Sequence, residues 1–197
     1  MKKLIIGFVV VLLLALVPSA AYAAETVPTD VQSIMQDLEA SDDPELAFSQ
    51  LTPAQQQAIR DSIRDNVTIS EPIETVVQTG LPDDVLADGP SCGCATQTKY
   101  VNIRWLGELA GRYYSETEWC WDGDAILGDP YFNAWGVTYA WYLSFTGQTT
   151  NETGGDGDWK HKDFAQGRFE ACGPILGCWS YWHPVIRKTQ YGNGNSS

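Results

Sequence analysis

The sequence predicts a mainly β protein, an antiparallel β-sandwich with a short helical N-terminal segment. Three observations lead there. Between Tyr100 and Tyr191 the chain runs through segments in which large apolar residues alternate with polar ones. A period of two places one set of side chains on a core face and the other toward water. Turn-forming residues separate these segments and no helical period intervenes, which suits a sandwich or small barrel. All eight Trp and all five Cys lie in residues 91–197, so the core-forming residues are concentrated there.

Residues 1–23 read as a secretory signal peptide. Lys2 and Lys3 precede an uncharged apolar run from Leu4 to Val17, and Ala21-Tyr22-Ala23 supplies a small-residue cleavage signal. The run is shorter than the ~20 residues that cross a bilayer. No second such run follows, so the processed chain is expected to be secreted to the extracellular space, with no stable membrane span.

Residues 24–90 form an acidic helical segment: a leader, pro-segment or linker. They hold 14 acidic residues against Arg60 and Arg64. Val31, Ile34, Met35 and Leu38 fall at helical spacing within Pro28–Ala40 and predict one apolar stripe. Asp43-Pro44 starts a second short helix. Thr52-Pro53-Ala54-Gln55 starts a third with a capping box, and Ala58, Ile59 and Ile63 give it an apolar edge. Helices this short are marginal alone, so they must dock on the rest of the chain or stay partly unfolded. The turn-rich stretch Leu81–Ser91 marks a boundary before a disulfide-containing β domain, residues 91–197.

Within that domain, strands are expected over Tyr100–Leu106 and Arg112–Trp121, joined by a hairpin at Gly107–Gly111. In the second, Tyr113, Ser115, Thr117, Trp119 and Trp121 share a face. Further strands are expected over Val137–Thr146, over His161–Ala171 with a bulge near Gly167, and over Tyr181–Tyr191 with an interruption at Pro184. Gly147–Asp158 is polar and Gly-rich and is expected to be a mobile surface loop.

Export places the cysteines in an oxidising compartment. Cys172 and Cys178 flank a short turn-forming run and predict one disulfide. Cys120 lies within a strand and needs a distant partner, Cys92 or Cys94, and one Cys is left over.

The formal net charge is −13. That acidity repels nucleic acid and anionic lipid, which are excluded as partners. No nucleophile elbow, zinc-binding helix, phosphate-cradling loop or EF-hand pattern occurs, so no catalytic residue, metal or cofactor is assigned. Asp122-Gly123-Asp124 and Asp156-Gly157-Asp158 read as turns rather than metal sites. His161 is read as solvated and His183 as partly buried. Residues 91–197 hold eight Trp, eight Tyr and four Phe, more large rings than a domain of that size fully buries. Trp119, Trp121, Trp179, Tyr181 and Trp182 are the candidate exposed aromatics for stacking on sugars or anchoring a protein.

The pieces Trp119-Cys120-Trp121-Asp122-Gly123, Gly167-x-Phe169-x-x-Cys172, Gly177-Cys178 and Pro184-x-Ile186, closed by Tyr191-Gly192-Asn193-Gly194, carry a resemblance. They resemble secreted, mostly actinobacterial, proteins of unknown function with a small β-sandwich. Leu51–Gln56 is similar to acidic helical leaders of exported bacterial proteins. The resemblance implies a sandwich and export, and supplies no active residue. The expected role is a non-enzymatic binding module for a cell-envelope polysaccharide or a protein. The alternative is a bacteriocin-like toxin held by its N-terminal pro-segment.

Overall fold

A computed structural model describes residues 30–79, 92–173 and 177–197. The signal-peptide stretch, the whole turn-rich boundary Leu81–Ser91 and the tip of the Cys172–Cys178 turn lie outside the described residues. Among those described, the order is α1 (Val31–Glu39), α2 (Pro44–Gln50), α3 (Pro53–Asn66), β1 (Val67–Ile69), β2 (Ile73–Thr79), β3 (Gly93–Trp105), β4 (Glu108–Trp121), β5 (Ile126–Thr138), β6 (Leu143–Thr153), β7 (Lys160–Gly173), β8 (Gly177–Trp182) and β9 (Val185–Tyr191).

Two antiparallel sheets make the sandwich. One runs β1–β3–β4–β5, with β2 pairing β3 beyond the end of β1; the other runs β6–β7–β8, with β9 pairing the opposite end of β7. The β3–β4 hairpin turns on Leu106 and Gly107, both at positive φ (48° and 93°), between paired Trp105 and Glu108. A two-residue turn of that hand matches the strand twist. It sits earlier and is tighter than the Gly107–Gly111 loop the sequence suggests. β8 and β9 are separated at His183-Pro184, as the proline requires, and the Pro184 carbonyl accepts the Gly167 amide at 2.9 Å.

The helices form as their capping residues dictate. Asp30 accepts the amides of Gln32 and Ser33, Asp43 accepts that of Leu46 at 2.9 Å, and Thr52 and Gln55 complete a reciprocal capping box. They dock rather than stand free. Met35, Leu38, Phe48, Ile59 and Ile63 join Val101, Ile103, Trp105, Tyr113, Tyr142, Phe169 and Ile186 in one apolar cluster. Phe48 sits 5.5 Å from Trp141 and stacks on Trp179 at 6.2 Å, so the helical segment caps one end of the sandwich. A second, smaller cluster of Ala95, Trp119, Trp121 and Ile126 fills the other end. There Gly194 has φ +83°, and a Cβ on it would lie 2.5 Å from the Trp121 ring; the C-terminal turn closes on Trp121 only with glycine at that position.

Several sequence expectations need correction. The chain does not run as one strand through Val137–Thr146: β5 ends at Thr138 and Tyr139–Tyr142 carries it to the other sheet. Gly147–Thr153 is not a loop but the outer half of β6, paired with Lys162–Arg168 of β7. It is polar because it is an edge strand with little cover on either face. β7 alternates without interruption through Gly167; Phe164 faces outward, with the Arg187 guanidinium 5.2 Å from its ring. The register shift falls on β6, between Phe145 and Gly147. Val67–Thr79 contributes β1 and β2, where the sequence suggests no strands.

The Tyr113 hydroxyl is buried without a hydrogen-bond partner, and burial pushes its pKa up to about 12. Unfolded tyrosine ionises near 10, so the group leaves stability independent of pH below that value and makes it fall as pH rises from about 10 to about 12. Tyr113→Phe removes the orphaned hydroxyl. It is expected to stabilise the fold by ~1 kcal/mol and to flatten the alkaline fall, read by urea unfolding across that pH range.

Candidate functional site

Both predicted disulfides form. Cys94 and Cys120 face each other across β3 and β4, and Cys172 and Cys178 across β7 and β8. Of the two partners the sequence leaves open for Cys120, Cys94 is bonded and Cys92 carries the free thiol. Closing 26 residues, the first bridge contributes about 3–4 kcal/mol in the chain-entropy account.

The sequence-predicted aromatics divide. Trp119 and Trp121 are 2% and 7% exposed, so the expectation that they offer a binding surface is corrected. They have the inward parity of Tyr113 on β4 and pack on each other at 5.7 Å. Trp179 and Trp182 are half-buried against the main core. Tyr181 is exposed, with Arg168 5.4 Å above its ring. The histidines exchange roles: His161 is buried, its Nδ1 3.1 Å from the Gly154 carbonyl, while His183 is exposed. Asp122 accepts the Asp124 and Ala125 amides, as a turn carboxylate does, and these bonds hold its pKa below the usual carboxylate range.

Sequence reasoning missed two sites. The first is on the solvent face of β2–β5. Ile73, Tyr100, Tyr114 and Trp135 are register partners in one row across four strands. Tyr114 and Trp135 lie 5.1 Å apart and nearly parallel, and Tyr100 is 5.7 Å from Tyr114. Arg112 organises this row. It donates to Asn102 Oδ1 at 2.8 Å and to the Tyr114 hydroxyl at 3.0 Å, with its guanidinium 4.5 Å from the Tyr100 ring. The next rows carry Thr98, Glu116 and Asn133, then Thr96, Glu118 and Tyr131. The face ends in a cavity of about 370 Å³ lined by the Cys94–Cys120 disulfide, Glu118, Asp129 and Tyr131. Its signal was the even-numbered parity of β4, opposite to the Trp119 parity.

The second site lies between the sheets, separating the two apolar clusters. Gln97 of β3 and Ser115 and Thr117 of β4 face Asp163 of β7 and Lys188 and Gln190 of β9, all buried. Thr117 Oγ1 donates to Asp163 Oδ2 at 2.6 Å and accepts from Lys188 Nζ at 2.6 Å. Gln190 Nε2 donates to Asp163 Oδ2 at 3.1 Å and to Gln97 Oε1 at 2.6 Å. Lys188 Nζ is 3.7 Å from Asp163 Oδ1 and 5.3 Å from the Phe132 ring. Burial pushes the Lys188 pKa down to about 8, against the opposing pull of Asp163. The sequence signal was a run of polar residues at inward positions of an otherwise aromatic strand.

Among the described residues no helix is long and apolar enough to cross a membrane. No family model, curated protein or solved structure matches the chain.

The buried polar group is expected to behave as a unit. Asp163→Ala leaves an ammonium without its counter-charge and should cost ~3–5 kcal/mol. The double variant Asp163→Leu/Lys188→Met should lose less than either single change, a coupling measurable by denaturant unfolding.

Proposed function

We infer that the protein is a secreted, non-enzymatic binding module that takes a neutral polysaccharide of the cell envelope on the outer face of β2–β5. The observation that carries this reading is the cross-strand row Tyr100–Tyr114–Trp135, partly exposed and held by Arg112. Aromatic side chains bury apolar sugar faces and cost little conformational entropy when already fixed. Thr98, Asn133 and Glu116 border the row on the same face and offer groups that pair with sugar hydroxyls. The net charge of −13 disfavours an anionic polymer. Two disulfides suit an oxidising location.

The toxin alternative needs release of residues 24–90. Two contacts oppose it: β2 pairs with β3 from Ile73 to Thr79, and Phe48 is packed on Trp141 and Trp179.

A panel of envelope polysaccharides tests the proposal with the purified secreted chain. Trp135→Ala and Tyr114→Ala are each expected to weaken binding about tenfold or more, while Tyr181→Ala on the other sheet leaves it unchanged. No binding to any polysaccharide, or binding indifferent to Trp135→Ala, would overturn it.

A further inference from the structure

The inward face holds a second piece of chemistry, independent of the aromatic row. Asp163 and Lys188 are direct cross-strand partners on β7 and β9, and neither side chain is reached by water. They are not a well-made ion pair. Nζ and Oδ1 are 3.7 Å apart and Oδ1 has no hydrogen-bond partner. The ammonium instead donates to Thr117 Oγ1 and, at 3.5 Å, to the Gln97 carbonyl. Two charges held so loosely in a dry interior do not recover their desolvation cost. An arrangement that removed both charges would be favoured.

We propose that Lys188 and Asp163 condense within the folded sandwich into an amide that cross-links β9 to β7. The two groups are held side by side by the register, so the reaction is intramolecular at high effective concentration. Burial that lowers the Lys188 pKa to about 8 makes the neutral amine accessible. The amine lone pair attacks Asp163 Cγ and a C–N bond forms. Thr117 is placed to move the proton. Its Oγ1 accepts from Nζ and donates to Oδ2, each at 2.6 Å. One Nζ proton passes to Thr117 as the hydroxyl proton passes to Oδ2 before the attack, leaving a neutral amine beside a carboxylic acid. A second passes along the same relay once the C–N bond has formed, so that Oδ2 carries two protons and the nitrogen keeps one. Gln190 Nε2, donating to the same oxygen, holds the carboxyl for this transfer. The Cγ–Oδ2 bond then breaks and water leaves, with Oδ1 remaining as the amide oxygen. Ammonium and carboxylate become amide and water, so atoms and charge balance without an added reactant. Phe132 and the two sheets exclude the bulk water that would favour hydrolysis.

Mass spectrometry of the full secreted chain tests this directly. The intact mass is expected to be lower by one water, beyond the four hydrogens removed by the two disulfides. After reduction, trypsin should release peptide 163–168 joined to peptide 188–197, with no cleavage after Lys188. Separate peptides at full mass would overturn the proposal, as would a loss of water confined to peptide 163–168, which is a cyclised aspartate. Lys188→Met should restore the missing water. In Thr117→Val the linked fraction, followed with time after synthesis, should grow about tenfold more slowly or less. An unchanged rate would overturn the relay through Thr117. The wild-type mass decides whether the amide forms, even where a variant fails to fold.

Discussion

Lys188 and Asp163 are opposite each other at the centre of the sandwich, with no access to water. This contact constrains the strand register, because neither group can be left buried without the other. A one-residue slip of β9 along β7 would turn Lys188 outward and Ile186 with it, leaving Asp163 buried and alone. The Thr117 hydroxyl extends the constraint across the gap, because it bonds both groups from the other sheet. Apolar packing tolerates small shifts. A hydroxyl that must both accept and donate fixes how β4 sits over β7 and β9. The polar belt therefore sets the alignment, and the apolar clusters on either side supply the bulk of the stabilisation.

The strand pair β3–β4 serves both surfaces. On β4, Tyr113, Ser115, Thr117, Trp119 and Trp121 face inward, while Arg112, Tyr114, Glu116 and Glu118 face the solvent side. Anything that fixes the register for the core fixes it equally for Tyr114 and its neighbours. The Cys94–Cys120 bridge ties the same two strands at the far end of the aromatic face. The platform is therefore pre-organised by the core beneath it, and a ligand would not have to order it.

Much of the fold was legible in the sequence because period-two alternation and turn chemistry are local. The shared face of Tyr113, Ser115, Thr117, Trp119 and Trp121 on β4, the Pro184 interruption, the capping box at Thr52 and the Cys172–Cys178 disulfide follow from neighbours in the chain. What was not legible is long-range. Alternation shows which residues share a face, but not which face is the core. It groups Trp119 and Trp121 correctly with Tyr113, yet it cannot tell that this shared face is the buried one. The outer half of β6, Gly147–Thr153, was hidden because both its faces are polar, so it carries no alternating signal. The Lys188–Asp163–Thr117 contact joins three strands far apart in sequence. The hint was the interruption of aromatic inward positions by Ser115 and Thr117, which an apolar core would not select.

The distribution of covalent ties bears on the proposed amide. β7 is flanked along one edge by β8 and β9 end to end. The Cys172–Cys178 bridge secures β8 to one end of β7, and it does nothing for β9. β9 is separated from β8 by Pro184 and holds no disulfide of its own. Its hold on β7 comes from ladder hydrogen bonds, from Ile186, Lys188 and Gln190 facing the core, and from a C-terminal tail that folds back through Thr189 and Ser197. If β9 opened, Lys188 and Asp163 would both hydrate readily, so the unlinked pair resists opening poorly. An amide at Lys188 places a covalent tie at the middle of the strand that no disulfide reaches. It would also join the β7–β9 register permanently to the alignment on which the outer aromatic face depends.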